Sequence, residues 1–562
     1  MYSYDQYDQT IIDERVRQFR DQTERALSGA LSDEEYRPLR LLNGVYLERQ
    51  APMLRVAIPY GVVSSRQMRM LATIACQYDK GYGHFSTRQN IQFNWPRLEQ
   101  VPDILADLAS VQMHSIQTSG NCIRNTTCDH MAGIAPDEAA DPRTYCEIIR
   151  QWSTLHPEFS YLPRKFKIAF TGSANDRAGV AVHDVGFTVI RNDVGDTGFR
   201  VLVGGGQGRT PHIGTVIRDF LPQADLVSYT EAILRVYNRF GRRDNKYKAR
   251  IKILVNALGA EEFAARVEGE WRAGQPSALT LSNADIEYIA AHFSPPDYRP
   301  AGDDQEVRVW YQANKTFRRW FDRNTALHRV GGYRAVYLSL KAPGRAPGDA
   351  TAEQMNAVAD LAEQFGSGEI RVTHEQNLLL PDVRVADPLE LWQRLKVHAL
   401  ATPNVGLLTD LVCCPGRDFC TLASAVSLPI ARQINERFAD LDYLHDIGDI
   451  KINLSGCVNG CGHHHVGHIG ILGLDKKGEE FYQLTLGGSS ARDATLGARL
   501  GPAIDKGGVV DAIGDLIDVY LEERIEAERF LDTFRRIGIA PFRQRVYREE
   551  INERPVAANA TR

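Results

Sequence analysis

The chain has 562 residues, 43% of them hydrophobic and 24% charged, as expected for a globular protein with three or four domain-sized units. Its net charge of −5 gives no reason to expect nucleic acid or a membrane surface as a partner. No stretch approaches the ~20 apolar residues that span a bilayer, and the polar N-terminus is unlike a signal peptide, so we expect a cytoplasmic protein.

Strand and helix patterns alternate in the first part of the chain and return in the second. The first set is predicted in the order strand, helix, strand, helix, at 53–59, 65–78, 83–95 and 101–110. The second set has the same order, at 335–340, 352–365, 369–380 and 388–398. A hairpin plus helices is predicted behind each set, with examples at 216–220, 229–240 and 509–530. A Pro-, Gly- and Asp-rich break at 294–304 separates the two parts.

The two parts also resemble each other in sequence. Segment 84–93 is similar to 371–380, and the Gln-Asn pairs at 89–90 and 376–377 are 287 residues apart. A second match, between 186–206 and 470–488, has an offset of about 284 residues. Two matches at nearly one offset indicate an internal duplication.

Four cysteines form two close pairs in the second part. Five residues separate Cys414 from Cys420, and three separate Cys457 from Cys461. Such thiolates can bind zinc or an iron–sulfur cluster, although the five-residue gap fits structural zinc sites poorly. The other five cysteines are predicted to be ordinary thiols: Cys76, Cys122, Cys128, Cys146 and Cys413.

Cationic side chains stand in short, unusual segments of the first part: Arg55, Arg88, Arg124, Arg164, Lys165 and Lys167. Strand alternation around Phe166 puts Lys165 and Lys167 on one face, where two like charges can bind an anion and donate protons. A solvated basic edge is the alternative. At the repeat offset we expect Cys414 opposite Cys128. The same offset puts Lys451 and Asn453 opposite the two lysines, so that thiols and cations meet at one cleft.

Three weaker motifs remain open. The Gly204–Gly208 run loosely resembles a dinucleotide loop but lacks the acidic residue that follows one, which favours a tight turn near a cofactor. His463 to His465, with His468, could bind a metal, but polar or packing roles are favoured. The basic run 242–250 could be a helix face, a donor-docking patch or a cofactor clamp.

The chain resembles the siroheme-dependent sulfite and nitrite reductases. Three features taken together carry this resemblance: the Cys-x5-Cys and Cys-x3-Cys-Gly pairs, the Gln-Asn repeat and the segment Leu-Pro-Arg-Lys-Phe-Lys. The resemblance is strongest to assimilatory sulfite reductase hemoproteins, the beta subunit, and runs from about Leu41 to Ile539. It implies an α/β (α+β) fold, internally duplicated, with two ferredoxin-like half-domains and two larger siroheme/4Fe-4S α/β domains around a pseudo-twofold axis. The implied segments are an N-terminal piece 1–40, half-domain 1 at 41–135, a siroheme/anion-binding domain at 136–300, a linker and half-domain 2 at 301–403, and a 4Fe-4S/siroheme domain at 404–562.

The resemblance also implies roles for individual residues. Cys414, Cys420, Cys457 and Cys461 would hold a [4Fe-4S] cluster, and Cys461 would also bridge it to the siroheme iron. Four residues would surround the substrate anion: Arg55, Arg124, Lys165 and Lys167. Seven would hold the siroheme carboxylates or line its pocket: Arg88, Gln92, Arg164, Lys248, Gln376, Asn377 and Asn459.

The expected reaction is the six-electron reduction of sulfite to sulfide in sulfate assimilation and cysteine biosynthesis. Nitrite reduction to ammonia is the alternative, but Lys167 favours sulfite because the nitrite reductases often have Asn there. No flavin or NADPH domain is visible in the sequence, so electrons must come from a donor protein, either a ferredoxin or a flavoprotein reductase. A non-catalytic protein with a lone zinc or iron–sulfur site is a third hypothesis.

Overall fold

The computed structural model describes residues 1–274 and 278–548. Two helices precede the first repeat, and α2 begins with a capping box between Ser32 and Glu35. The elements of this region are α1 (Gln6–Leu27), α2 (Asp33–Leu42), β1 (Val45–Leu47), β2 (Pro52–Val56), β3 (Val62–Ser64), α3 (Ser65–Tyr78), β4 (Tyr82–Phe85), β5 (Ile91–Phe93) and α4 (Val101–Ser110).

A second region follows, built around a mixed sheet with helices behind it. Its elements are β6 (Thr127–Cys128), α5 (Arg143–Ser153), β7 (Ile168–Thr171), β8 (Val185–Arg191), β9 (Thr197–Val203), β10 (Thr215–Pro222), α6 (Leu226–Phe240), α7 (Ile251–Leu258), α8 (Ala260–Ala273) and α9 (Asn283–Ala291). The sheet order is β10-β9-β8-β7-β6, parallel from β6 to β8 and antiparallel beyond.

The second half of the chain repeats both regions. The first comprises α10 (Gln305–Ala313), α11 (Lys315–Asn324), β11 (Thr325–Leu327), β12 (Tyr333–Leu338), β13 (Asp349–Thr351), α12 (Ala352–Phe365), β14 (Glu369–Val372), β15 (Leu378–Arg384) and α13 (Pro388–Val397). The second comprises β16 (Val412–Cys413), α14 (Leu428–Arg437), α15 (Leu441–Ile447), β17 (Ile452–Ser455), β18 (Ile469–Lys476), β19 (Glu479–Leu486), β20 (Ala498–Arg499), β21 (Ile504–Asp505), α16 (Val509–Glu523), α17 (Phe530–Ile537) and α18 (Ala540–Tyr547).

The two smaller sheets exchange a strand. The order of one is β1-β2-β5-β4-β13 and that of the other is β11-β12-β15-β14-β3, so each half donates its short strand to the sheet of the other. Val63 of β3 pairs with Ile370, and Ala350 of β13 pairs with Gly83 at the corresponding place. One continuous core therefore lies beneath both sheets, whereas each larger sheet has a core of its own.

The helix predictions at 65–78, 101–110 and 352–365 are confirmed residue for residue, and the helix predicted at 388–398 ends at Val397. Among the described residues, no helix is long and apolar enough to cross a membrane. The predicted domain boundaries stay predictions, and the last fourteen residues of the predicted 404–562 segment lie outside the described residues.

The single strands predicted at 83–95 and 369–380 are wrong, because each is a hairpin. Gln89 and Gln376 have left-handed backbones, with φ of 55° and 62°, in the two turns. Ser86 and Thr373 stabilise these turns, since their hydroxyls accept from the amides of the following asparagines at 3.3 Å and 3.1 Å. The helix predicted at 509–530 is also wrong, since it stops at Glu523 and a new helix begins at 530.

Strand pairing corrects the predicted register of the repeat. Cys128 pairs with Phe170 and Cys413 pairs with Leu454. The amides of Cys128 and Cys413 also donate to the side chains of the two turn glutamines, each at 2.9 Å. The counterpart of Cys128 is therefore Cys413 rather than Cys414.

The lysines shift in the same way. The amide of Val185 donates to the carbonyl of Lys167 at 3.2 Å, and that of Ile469 donates to the carbonyl of Lys451 at 3.1 Å. Lys451 is thus the counterpart of Lys167, and Asp449 is the counterpart of Lys165. The expected pairing of Asn453 with Lys167 is wrong by two residues.

Candidate cofactor and anion site

Two backbone segments of the second half bring the cysteine pairs together. Cys414 directly follows β16, while Cys457 and Cys461 lie in the loop after β17. The amide of Gly456 donates to the sulfur of Cys414 at 3.2 Å, which joins the two segments. None of the nine cysteines is in a disulfide.

Glycines allow these segments to approach each other closely. A Cβ on Gly456, next to Cys457, would lie 2.7 Å from the carbonyl of Ala425 and 2.8 Å from the Cα of Gly416 in the segment of Cys414. Larger residues would therefore push the cysteine segments apart. The glycines between the cysteines are required by the packing of the backbone.

Burial raises the pKa of Cys414 and of Cys420 to about 12. Burial also raises the pKa of Cys457, while hydrogen bonds from Asn459 act in the opposite direction. The neighbouring sulfur of Cys461 raises all three further. The four sulfurs are therefore within electrostatic reach of one another, and a cation would be needed to hold Cys414, Cys420 and Cys457 as thiolates.

The sulfurs do not converge on a single ion. Within 1–274 and 278–548, no three His, Cys, Asp or Glu side chains are placed to hold one metal ion. A [4Fe-4S] cluster takes one thiolate on each of four irons, so its ligands stand further apart than those of zinc. The donor set therefore fits a cluster better than a lone zinc ion.

Lys165 and Lys167 stand immediately before β7, half-buried, on the first-half side of the site. Burial lowers the pKa of Lys165 to about 8, and Arg124 and Arg250 lower it further while the sulfur of Cys461 raises it. Burial also holds the pKa of Lys167 well below its ordinary range, with Arg88 and Lys165 adding to the effect. The cysteine loop and the lysine pair are thus electrostatic neighbours, as the sequence predicts.

Arg55 and Arg124 lie beside the lysines and share one backbone partner. Both donate to the carbonyl of Thr118, at 3.4 Å and 2.9 Å, and Arg55 also donates to the side-chain oxygen of Gln92 at 3.2 Å. Burial alone would raise the pKa of Tyr46, but the guanidinium groups of Arg124 and Arg55 lower it to about 8. The structure thus adds a tyrosine to the predicted cationic set.

Arg88 donates to the hydroxyl of Thr127 at 2.9 Å and to the carbonyl of Asn125 at 2.7 Å, and burial lowers its pKa to about 9. Burial, with Arg124 and Arg250, also lowers the pKa of Arg164. Lys248 is exposed instead. The structure therefore brings Arg88 and Arg164 to the cationic set, whereas Lys248 stands at the surface.

Gln376 and Asn377 are buried and hydrogen-bonded within the protein. The amide of Gln376 donates to the carbonyl of Phe85 at 2.9 Å, and the amide of Asn377 donates to Asp410 at 2.8 Å. Gln89 occupies the corresponding place and donates to the carbonyl of Val372 at 2.9 Å. These residues join the two halves, and their predicted contact with siroheme stays a prediction.

Arg250 was not singled out from the sequence, although it ends the basic run 242–250. Its guanidinium binds both oxygens of the fully buried Asp184, at 2.7–2.9 Å. The hydroxyl of Thr87, next to Arg88, donates to the carbonyl of Cys461 at 2.8 Å. No local pattern marks either contact, because each joins distant segments.

The histidine run behaves as predicted. His464 is fully buried, and the imidazole of His465 donates to the carbonyl of Gly208 at 3.0 Å. Gly208 ends the glycine run, which is a tight turn and not the start of a helix. Both motifs therefore serve the packing around the cysteine loop.

The site fits a polyanionic cofactor beside a cluster. Among the described residues, none of six cations forms an ion pair with a carboxylate: Arg55, Arg88, Arg124, Arg164, Lys165 and Lys167. Buried cations without counter-ions are costly unless an anion binds to them. Siroheme brings eight carboxylates, and the four thiols would hold the cluster next to it.

Two family models match the chain, each of them twice. The model described as the nitrite and sulphite reductase 4Fe-4S domain matches residues 119–274 and 406–554, which is more than half of the chain. The model described as the nitrite/sulfite reductase ferredoxin-like half domain matches residues 46–111 and 328–398. The duplication and the fold class inferred from the sequence are thereby confirmed.

Individual proteins give the same result. A chloroplastic ferredoxin–nitrite reductase of Arabidopsis thaliana is 29% identical over 80% of this chain and 71% of its own length. Sulfite reductase [ferredoxin] 1 of Mycolicibacterium paratuberculosis is 27% identical over 86% and 82%. The structure of the Mycobacterium tuberculosis NirA protein superimposes with a TM-score of 0.75, at 24% identity, over 91% of this chain and 92% of that one, which supports the fold. The chain therefore belongs to the nitrite and sulphite reductase family of oxidoreductases, and its cofactors are siroheme and a [4Fe-4S] cluster.

Proposed function

We propose that the protein is an assimilatory sulfite reductase that reduces sulfite to sulfide with six electrons. The observation that carries the proposal is the pair Lys165 and Lys167. Both ammonium groups lie on one face before β7, next to the cysteine loop and without a carboxylate partner among the described residues. Two such groups suit a compact oxyanion whose oxygens leave as water.

The residues around the site would divide the work. Arg55 and Arg124 would hold the anion by charge-assisted hydrogen bonds and polarise its S–O bonds. Lys165, with its pKa lowered to about 8, would donate a proton near neutral pH and recover one from solvent. When bound, siroheme with its neighbouring cluster supplies the electrons and the iron site for the anion.

The cofactor ligands belong to the same proposal. Cys414, Cys420, Cys457 and Cys461 would hold the cluster, with Cys461 as its link to the siroheme. Arg88 and Arg164 would bind siroheme carboxylates, and the free cationic groups support this role.

The electron donor is proposed to be a ferredoxin. The names of the relatives from Arabidopsis thaliana and Mycolicibacterium paratuberculosis both include ferredoxin. A flavoprotein reductase remains the alternative donor, and the cytoplasmic location stays a prediction.

Nitrite reduction is the second candidate, because relatives named nitrite reductases are as similar to this chain as those named sulfite reductases. The deciding experiment compares kcat/KM for sulfite and nitrite with reduced methyl viologen as donor, for the wild type and Lys167→Asn. We expect sulfite to be preferred by the wild type and the preference to move towards nitrite in the variant. A wild type that prefers nitrite would overturn the proposal.

A further inference from the structure

Lys252 is a buried lysine that the proposed chemistry does not use. It stands in the first turn of α7 with 4% of its surface exposed. Its ammonium donates to the carbonyls of Gly206 at 3.3 Å, Gln207 at 2.8 Å and Thr210 at 2.5 Å. No described carboxylate forms an ion pair with it. Burial lowers the pKa of Lys252 to about 7, so the three carbonyls offset part of the cost of burying the charge, and the ammonium in turn fixes the 206–210 turn.

The 206–210 turn packs against the cysteine loop of the other half. Gly460 lies between Cys457 and Cys461 with a left-handed backbone, at φ +66°. A Cβ on Gly460 would lie 3.2 Å from the Cβ of Gln207 and 3.2 Å from the amide nitrogen of Gly208. The turn therefore touches the backbone that presents two of the proposed cluster ligands.

Gln207 gives an independent sign of a bound group at this place. Only 5% of its surface is exposed, and neither atom of its side-chain amide has a hydrogen-bond partner among the described residues. Leaving a buried polar group unpaired costs about 1–3 kcal/mol. An amide held unpaired beside the cysteine loop is placed to donate to a cofactor sulfur or carboxylate.

The second half contains the same turn without the lysine. The pairing of Gly206 with His212 has its counterpart in that of Ser489 with Thr495. Helices α7 and α17 have the same length, and each ends at a glycine with positive φ. Their alignment places Leu531 at the position of Lys252. Lys252 thus stands at the 206–210 turn, which faces the cysteine loop, and Leu531 stands at the corresponding turn of the second half.

We propose that Lys252 is a positioning residue that holds the 206–210 turn, and with it Gln207, against the cysteine loop. The turn then shields the cluster from solvent, while the charge of Lys252 and the amide of Gln207 stabilise the reduced cluster. Charge, hydrogen bonds to sulfur and solvent exposure are the factors that set a cluster's potential. This inference rests on the proposed cysteine ligands and goes beyond the reaction itself.

The test uses the full-length holoenzyme with Lys252→Met, and Leu531→Met as the matched control. We expect Lys252→Met to lose its cluster absorbance in air with EDTA about tenfold faster than the wild type. Its cluster midpoint potential, followed by EPR, should become more negative, because a positive charge is lost. Leu531→Met should keep the wild-type loss rate and potential.

A second variant, Gln207→Leu, keeps the contacts of Lys252 with the carbonyls and removes the amide. We expect the midpoint potential of the Gln207→Leu variant to shift in the same direction by a smaller amount. If Lys252→Met does not fold, the potential of Gln207→Leu alone tests whether the turn influences the cluster. A wild-type loss rate and potential in the folded variants would overturn the inference. A wild type without any cluster signal would instead contradict the proposed cysteine ligands, so the two failures are distinguishable.

Discussion

The two halves of the protein have similar backbones and differ at the candidate site. The segments 167–187 and 451–471 align without a gap, since their strands, their short 3₁₀ turns and the left-handed residues Gly179 and His463 coincide. In this alignment Cys457 corresponds to Ser173 and Cys461 to Arg177. The first half thus has no cysteine at either position.

The first half fills these positions with an ion-pair network. The amide of Asp129 donates to the carbonyl of Phe170 as that of Cys414 does to Leu454, so Asp129 is the counterpart of Cys414. Arg177 pairs with Asp129 at 2.9 Å and with Asp137 at 3.6 Å. The first half thus has the Asp129–Arg177 ion pair where the second half has the thiols of Cys414 and Cys461. This ion pair stabilises the backbone of the first half without a metal.

The halves also differ at the positions of Lys167 and Arg88, but here the second half has the ion pair. Lys451, the counterpart of Lys167, is neutralised by Glu375 at 3.7 Å, and Glu375 is the counterpart of Arg88. The first half therefore carries two unpaired cations where the second carries an ion pair. The two halves thus share a fold but differ in cysteine content and in unpaired charge at corresponding positions.

The largest difference is expected between Cys457→Ala and Ser173→Ala, which remove side chains at corresponding positions. Cys457→Ala should lose the cluster and all reductase activity, because one iron loses its ligand. Ser173→Ala should keep both and lose about 1 kcal/mol of stability with its hydrogen bond to Asp137. Iron and acid-labile sulfide per chain, with the visible spectrum, are the measurements. Equal cofactor content in the two variants would contradict the ligand assignment.

The next comparison is between Lys167→Met and Lys451→Met. We expect kcat/KM for sulfite to fall about 10²–10³-fold for Lys167→Met, because a charge that stabilises the reacting oxyanion is removed. Lys451→Met should leave kcat/KM unchanged, since the ammonium of Lys451 is paired with Glu375 at 3.7 Å and is not one of the unpaired cations. Steady-state rates with reduced methyl viologen measure both. Similar losses in the two variants would refute the functional difference between the halves.

The pH dependence should distinguish Lys165 from an arginine. Its pKa, lowered to about 8 by burial, implies that the charged donor is lost as pH rises through this value. Because siroheme carboxylates favour the charged form, we expect the alkaline fall in kcat/KM at or above about pH 8. Arginine has a higher intrinsic pKa than lysine, so Lys165→Arg should move the fall to higher pH. An alkaline limb that does not move would exclude Lys165 as its origin.

The smallest effect concerns the exchanged strands. Val63 is fully buried on β3, in the sheet of the other half, so Val63→Ala should lower the free energy of unfolding by about 2 kcal/mol. Val194→Ala, at a side chain 81% exposed, is the control and should have no effect. Urea denaturation measures both. A cost no larger than that of the control would show that the exchange adds little stability.

Local patterns explain why several elements were predictable. The helices at 65–78 and 352–365 begin with capping boxes at Ser64 and Thr351, and such caps involve neighbours only three residues apart. Alternation likewise placed Lys165 and Lys167 on one face before β7. Capping and alternation each involve residues only a few positions apart, so both can be recognised in the amino-acid sequence alone.

The hairpins and the repeat register were missed because their causes are distant in sequence. The left-handed Gln89 is held by the backbone at Cys128 and Val372, and a window of ten residues contains neither. The one-residue error at Cys413 arose because the sequence offset changes between segments, from 287 to 284. The correct register is determined by strand pairing, which depends on the tertiary structure.

The sequence by itself determined the duplication, the two cysteine pairs, the lysine pair and the capped helices, because periodicity, spacing and capping act over short distances. The tertiary structure decided which residues meet. It joined Arg250 to Asp184 and Thr87 to the carbonyl of Cys461, exchanged β3 with β13, and set Lys252 behind the cysteine loop. These contacts depend on burial and charge balance between segments that are 45 to 374 residues apart, which no local pattern encodes.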